Sequence, residues 1–129
     1  MKQEQKELLL KDLCARLPYG VKCVSGVNDA TLIIEGINPN CCGASEVQVT
    51  YEKSGINFDT TISAIKPYLF PMSSMTEEQE ELREEILDFY NSMELCYIEL
   101  IDWYNKNHID YRCLIGKGLA LDATGLNIY

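Results

Sequence analysis

The alternation of residues on both sides of the turn at 53–55 constrains the fold of this chain more than any other feature. The alternating positions are Val47, Val49 and Tyr51 before the turn, and Ile56, Phe58, Thr60 and Ile62 after it. A period of two residues is typical of a β-strand with one face packed and the other in water. The sequence therefore predicts two antiparallel strands, over about 46–53 and 56–62, joined as a hairpin.

Two further apolar segments come before this hairpin. VKCVS at 21–25 and ATLIIEG at 30–36 flank the residues GVND, a cluster suited to a tight turn. Four consecutive strands with short connections predict an antiparallel meander. The segment INPNCCGAS at 37–45 is rich in Asn, Pro and Gly, and we interpret it as the loop between the two hairpins.

Helical patterns lie on both sides of the predicted strands. Residues 3–17 carry leucines at helical spacing, and Pro18 ends the pattern. Thr76 and Gln79 form a predicted capping box, and an apolar stripe with helical period follows it. The stripe favours one helix over about 77–106, with a break near 91–92 as the alternative, and we expect a short helix over about 110–117.

Pro67 and Pro71 rule out a regular helix in the segment IKPYLFPMSSM at 65–75, so we expect an ordered crossing segment there. The 129 residues suffice for one hydrophobic core. The sequence thus predicts a single α+β domain over 1–129. Its expected architecture is a four-stranded antiparallel meander with the N-terminal helix and the C-terminal helices packed on one face.

The charge balance excludes some classes of partner. The net charge is −9, with 11 Lys and Arg residues, whereas binding to nucleic-acid phosphates needs clustered cations. No segment approaches the roughly 18 consecutive apolar residues of a membrane helix. The opening MKQEQKELLLKDL is charged and has no apolar signal core. We therefore expect a cytoplasmic protein that binds neither nucleic acid directly nor membranes.

The six cysteines give no metal-binding pattern. No C-x-x-C or C-x-x-H spacing occurs, so we predict no metal site and no cofactor. In the cytoplasm the thiols are expected to be reduced. Cys41 and Cys42 are adjacent, and a vicinal disulfide or a soft-metal site is the alternative to two ordinary thiols there.

The segment NHIDYRCLIGKGLAL contains the only histidine of the chain, His108, two residues before Asp110. A histidine held against a carboxylate can perform acid–base chemistry. Contiguous residues at a helix boundary rarely converge on one point, however, and a helix dipole favours a histidine in the last turn. We therefore predict no catalytic residue. The alternative is a pocket between the sheet and the C-terminal helices, lined by Tyr68, Trp103, His108, Tyr111 and Arg112.

The run TEEQEELREE carries much of the negative charge. With Asp88 it places seven acids against the single Arg83. A solvated helix face is one interpretation. The other is a surface that docks a basic partner, or that mimics nucleic acid toward a DNA-binding protein. The candidate interaction face consists of Glu77, Glu78, Glu81, Glu84, Glu85 and Asp88.

Three blocks together resemble a known group of proteins: LKDLCARLPYGVKC at 10–23, IKPYLFPMSSMTEEQ at 65–79 and IDWYNKNHIDYRCLIGKGLALDA at 101–123. The group comprises small proteins without an assigned function, encoded by gut anaerobes of the Bacteroides type and by their phages and mobile elements. The third block is similar to the pattern DYRGLIEKGLA, in which Cys113 replaces a glycine and Gly116 an acidic residue. The resemblance implies a phage or mobile-element origin, and it carries no residue role over.

The sequence therefore predicts an accessory or interaction protein that uses its acidic helix or an exposed sheet edge against another protein. The alternative is a small enzyme or ligand-binding protein with a pocket near the C-terminal helices. Neither the partner nor the oligomeric state follows from the sequence.

Overall fold

The computed structural model describes residues 2–38, 45–90 and 92–129, and these form three α-helices and a sheet of seven strands. In chain order the elements are α1 (Gln3–Arg16), β1 (Lys22–Ser25), β2 (Thr31–Ile37), β3 (Val47–Tyr51), β4 (Asn57–Thr60), β5 (Ile65–Pro71), α2 (Glu77–Phe89), α3 (Met93–Lys106), β6 (Ile109–Asp110) and β7 (Leu121–Asp122). The predicted α+β class is confirmed. Most of the predicted loop at 37–45, including Cys41 and Cys42, lies outside the described residues.

The sheet extends beyond the predicted meander. Its strand order is β4-β3-β2-β1-β5-β6, and β7 also pairs with β5. The four predicted strands are neighbours and antiparallel, with Leu32 opposite both Cys23 and Tyr51. Next to β1 the sheet gains β5 in antiparallel pairing, and β6 and β7 then pair with β5 in parallel. The prediction of four strands was therefore too few.

Strand β5 was missed because it contains two prolines. The prolines did exclude a helix at 65–75, but the first seven residues of this segment form a central strand. Proline is disfavoured in central strands because it donates no backbone hydrogen bond. On the side of β5 away from β1, the neighbours β6 and β7 are only two residues long, so few donors are needed there. Leu69 of β5 is fully buried.

Helix α1 covers one face of the sheet. Its side chains Leu9 and Leu13 belong to the same buried cluster as Leu32, Val47 and Val49, which point to that face from β2 and β3. The helix ends at Arg16, and a short 3₁₀ turn over Leu17–Tyr19 follows, with Pro18 in its first positions. The predicted helix over 3–17 is thus present, and its apolar stripe builds the main core.

The C-terminal region has two helices in place of the favoured single helix over 77–106. Helix α2 begins with the predicted capping box, in which Thr76 Oγ1 accepts from the Gln79 amide at 3.1 Å. Tyr90 is extended, and Ser92 Oγ accepts from the Leu95 amide at the start of α3. Because the Ser92 cap satisfies a free amide, a new helix begins there. The break agrees with the alternative near 91–92, where Asn91 lies outside the described residues.

The two C-terminal helices form a second, smaller core, whereas we predicted that they pack on the sheet face. Leu100, Tyr104 and Ile109 are its buried members. Around them pack Met72, Met75, Ile86, Leu87, Trp103 and Tyr111. The helices therefore stand beside the β5 and β6 end of the sheet, where α3 contacts β6 and α1.

The predicted short helix over 110–117 is wrong. These residues begin in β6 and continue as turns, and Cys113 has a left-handed backbone with φ of 60°. A helix cannot continue through such a residue. Asp110 holds the turns in place, because its carboxylate accepts from the amides of Leu114 and Ile115, each at 2.9 Å.

Candidate functional site

A buried ionic cluster joins α1 to the segment that follows β6. Asp12 Oδ2 accepts from Arg16 Nε at 2.8 Å, and Asp12 Oδ1 accepts from Arg112 Nε at 3.2 Å. Asp12 and Arg16 are fully buried. Arg16 Nη2 also donates to the carbonyl oxygen of Ile109 at 2.6 Å. Arg112 is therefore already engaged by an internal carboxylate.

Both guanidinium groups of the cluster lie near the ring of Tyr111. The Cζ atoms of Arg16 and Arg112 are 5.2 and 5.0 Å from its ring centroid, a distance at which cation–π attraction operates. The ring also stacks on Tyr104, with centroids 5.6 Å apart. The hydroxyl of Tyr104 accepts from Arg83 Nε at 2.8 Å, which ties α2 to the same cluster. Tyr104 and Tyr111 therefore join α2 and α3 to the ionic cluster.

His108 lies two residues after the end of α3 and has a left-handed backbone, φ 59°. Its ring stacks on Tyr129, with the ring centroids 3.7 Å apart. Burial, together with the smaller effect of the positive charges of Arg16 and Lys22, lowers the pKa of His108 to about 4. The imidazole is therefore neutral at pH 7. A general acid or base works best when its pKa lies near the working pH, so this histidine is poorly tuned for that role.

Tyr129 fixes the end of the described chain against the sheet. Its hydroxyl donates to the carbonyl oxygen of Tyr68 at 2.8 Å and accepts from the amide of Lys22 at 3.0 Å. Burial raises the pKa of Tyr129 to about 12. No sequence pattern pointed to this residue, because its partners are distant in the chain.

The five residues of the predicted pocket are thus placed in different surroundings. Tyr111 and Arg112 belong to the ionic cluster, while His108 and the backbone of Tyr68 both contact Tyr129. Trp103 contacts Tyr104 with its ring tilted by 56°, and it lines a groove. Of these five residues only Trp103 lines one of the larger cavities found among the described residues.

The acidic helix α2 is the second candidate site. All six members of the predicted interaction face are exposed, and α2 has no buried residue. Its first turn holds three acids, Glu77, Glu78 and Glu80. Arg83, the one cation of the helix, bonds to Tyr104, on the side of α2 that packs on α3. The exposed face of α2 therefore presents negative charge without an internal counterion from its own helix.

An apolar groove lies beside this acidic face, between α2 and α3. Leu82, Ile86, Phe89, Tyr90 and Trp103, together with Glu85, line a cavity of about 290 Å³. A neighbouring cavity of about 220 Å³ shares Ile86 and Trp103, and its other lining residues are Tyr19, Glu99, Asp102 and Lys106. We call the two cavities together the Trp103 groove. Phe89, which is 77% exposed, stands at its edge.

The Trp103 groove has acids on both sides. Glu85 borders it from α2, and Glu99 and Asp102 border it from α3, with Lys106 as the one cation among the lining residues. Sequence reasoning missed the groove because it placed Leu82 and Phe89 on the apolar stripe of one continuous helix, and Trp103 in a different pocket with His108 and Arg112. The signal that could have revealed it is the position of Phe89, immediately after the acids of α2 and at the point where the helix ends.

A cavity of about 450 Å³ lies between the β1–β2 turn and the β3–β4 turn. Its lining includes Asp29, Tyr51, Glu52, Lys53 and Ile56, and neither a histidine nor a cysteine is among the lining residues. Lys22, outside the cavity, already pairs with Glu52 at 2.8 Å. Thr31 and Ser54 line the cavity as well, and the Ser54 hydroxyl accepts from the Ile56 amide at 3.3 Å.

Three further observations complete the description of the site. Among the described residues, no group of three or more His, Cys, Asp or Glu side chains is placed to hold a metal ion. No helix in that part of the chain combines the length and apolar character needed to cross a membrane. Comparison of the chain with protein-family models, with curated proteins and with solved structures gave no match.

Proposed function

We propose that this chain is an accessory protein that works by binding another protein. The partner surface is positively charged and contacts the acidic face of α2 and the Trp103 groove. One observation carries the proposal: an exposed apolar groove is bordered by acidic side chains from both of the helices that form it. The cytoplasmic location and the phage or mobile-element origin remain predictions of the sequence.

The two parts of this surface contribute differently to binding. Exposed charges of one sign speed the encounter with an oppositely charged partner and select against wrong partners. Apolar and aromatic side chains at the centre of an interface supply most of the affinity. Phe89 and Trp103 are side chains of this second kind, and the acids of α2 are of the first kind. A polar rim around an apolar centre is the usual arrangement of a protein interface.

The helical surface is a better candidate than the open sheet edge. Strand β4 has one neighbour among the described strands, which leaves its other side available for pairing. It is, however, only four residues long and carries the exposed Asp59. Short length and charge are features that protect edge strands from pairing with another chain.

A capture experiment with matched variants tests the proposal. The acid-face variant changes Glu78→Gln, Glu81→Gln and Glu85→Gln, and the control variant changes Glu4→Gln, Glu35→Gln and Asp59→Asn. Both sets are exposed and remove three negative charges. Each protein is immobilised and used to capture partners from a bacterial lysate at several salt concentrations. We expect a basic protein that binds wild type and control, is lost from the acid-face variant, and dissociates as salt rises.

One result of this capture experiment would contradict the proposal. If every captured protein binds wild type, control and acid-face variant to the same extent, the acidic face has no part in recognition. The proposal would then be wrong, even if a partner exists. Circular dichroism of the three proteins would establish that the substitutions leave the helices intact.

A further inference from the structure

Helix α2 is covered on only part of its apolar surface. Its half-buried residues Ile86 and Leu87 pack in the smaller core, whereas Leu82 and Phe89 beside them are 42% and 77% exposed. Leu82 and Phe89 are seven residues apart and therefore lie on one side of the helix. A surface helix usually buries its apolar stripe against a neighbour. The pair of helices thus leaves room for one further packed element on the side of Trp103.

We infer that the Trp103 groove binds an amphipathic helix of the partner, and that this helix carries basic residues along both edges of its apolar stripe. The inference rests on the proposed function, because it names the part of the partner that the same site receives. A helix is the element that fits a groove between two helices, since ridges of side chains pack into such grooves. Recognition of an amphipathic helix by an apolar groove is also a recurring mode of protein binding.

Acidic side chains border the groove on both sides, and this explains why the partner helix would carry basic residues on both edges of its stripe. On the α2 side Glu85 lines the groove, and Glu81 and Glu78 lie about one and two helical turns before it. On the α3 side Glu99 and Asp102 line it. A helix with lysine or arginine on only one edge would leave one of these two groups without a counterion. Lys106 lies at the C-terminal end of α3, so a basic residue of the partner helix is disfavoured near that end of α3.

The volumes of the two cavities favour a side chain over a free small molecule. Pockets for drug-sized ligands are typically about 300–1,000 Å³. The cavities of the groove are smaller, about 290 and 220 Å³, and both are open to one side of the helices. The first, lined by five apolar or aromatic side chains and one acid, is suited to one large apolar side chain that anchors the partner helix. The preferred anchors are aromatic residues, leucine or methionine.

The fluorescence of Trp103 reports directly on binding at the groove, because it is the only tryptophan in the chain. The probe is a tryptophan-free synthetic peptide of about 18 residues, five helical turns, with leucines at helical spacing and lysines on both edges of the stripe. A peptide of the same composition with shuffled order is the control. We expect the first peptide to shift the emission of Trp103 to shorter wavelength as it covers the ring, and to bind at least about tenfold more tightly than the shuffled one.

A pair of matched variants locates the contact. Leu82→Ser with Phe89→Ser removes the apolar edge of the groove, and Val27→Ser with Ile56→Ser removes two exposed apolar side chains elsewhere. All four residues are exposed, so both variants should fold, which circular dichroism would check. We expect the groove variant to bind the helical peptide about tenfold more weakly, and the control variant to match wild type.

Two outcomes would overturn the inference. If both peptides bind equally and the emission of Trp103 is unchanged, attraction is by charge alone. The proposed function would then stand without the helix. If neither peptide binds at low salt, no basic amphipathic helix is recognised, and the capture experiment alone would decide the proposed function.

Discussion

Asp12 and Arg16 form a fully buried ion pair, with Asp12 Oδ2 2.8 Å from Arg16 Nε. They lie four residues apart, one turn of α1, and Arg112 reaches the same carboxylate from the other end of the chain. The carboxylate thus has two cationic partners, so neither its charge nor that of Arg16 is left unpaired in the core. The pair fixes α1 to the segment after β6.

Replacing Asp12 should destabilise the protein strongly. Asp12→Ala leaves Arg16 buried without a counterion, and breaking a buried pair in this way costs about 3–5 kcal/mol of unfolding free energy. Urea denaturation followed by circular dichroism would measure the change. The control is Glu52→Gln, which breaks the exposed pair with Lys22 and should cost less than about 1 kcal/mol. If both variants lost the same unfolding free energy, the prediction that the buried pair contributes more than the exposed one would be wrong.

Leu114 is expected to be a second major contributor to stability. It is fully buried in the main core, although it lies in the turns after β6. Leu114→Ala should lower the unfolding free energy by about 2–4 kcal/mol, because it removes buried methyl groups and leaves a cavity. The matched control is Val27→Ala at a position that is 88% exposed, where the melting temperature should not change. An unchanged melting temperature for Leu114→Ala would show that these turns are not part of the core.

His108 should make stability fall in mild acid. Its pKa is about 4 in the folded chain, against an ordinary value of 6.5. Between these pH values the unfolded chain binds a proton that the folded chain does not, so stability present above pH 6.5 is lost as the pH falls toward 4. His108→Asn removes the titration, and Asn tolerates the left-handed backbone. We expect a shallower decline of melting temperature with pH in the variant, whereas identical slopes would contradict the assignment.

The parts of the fold that the sequence predicted are those with a local pattern. The meander and α1 follow from periods of two and 3.6 residues. Strands β6 and β7 have only two residues each, too few for any period to be visible. Strand β5 was not predicted because it contains Pro67 and Pro71. The sheet tolerates the missing backbone donors of these prolines because the neighbouring strands β6 and β7 are short.

The candidate site depended on tertiary structure that local pattern does not encode. The stripe of α2 and α3 indicated which residues are apolar, and only the packing of the two helices decides which of them stay covered. Phe89 belongs to this stripe by its spacing, and it is 77% exposed. The contact of His108 with Tyr129 joins residues that no periodicity relates. The acids of α2, by contrast, were predicted as an exposed face and are exposed.

The cysteines should react with alkylating reagents according to their burial. Burial raises the pKa of Cys23 to about 12, so its thiolate, the reactive form, is scarce at neutral pH. Cys14 and Cys113 are exposed, whereas Cys96 is buried like Cys23. Iodoacetamide at pH 8 followed by peptide mass spectrometry should label Cys14 and Cys113 in the folded protein, and should label Cys23 and Cys96 only in urea. The denatured sample is the control for intrinsic reactivity. Rapid labelling of Cys23 in the folded protein would contradict its position inside the main core, between β2 and β5.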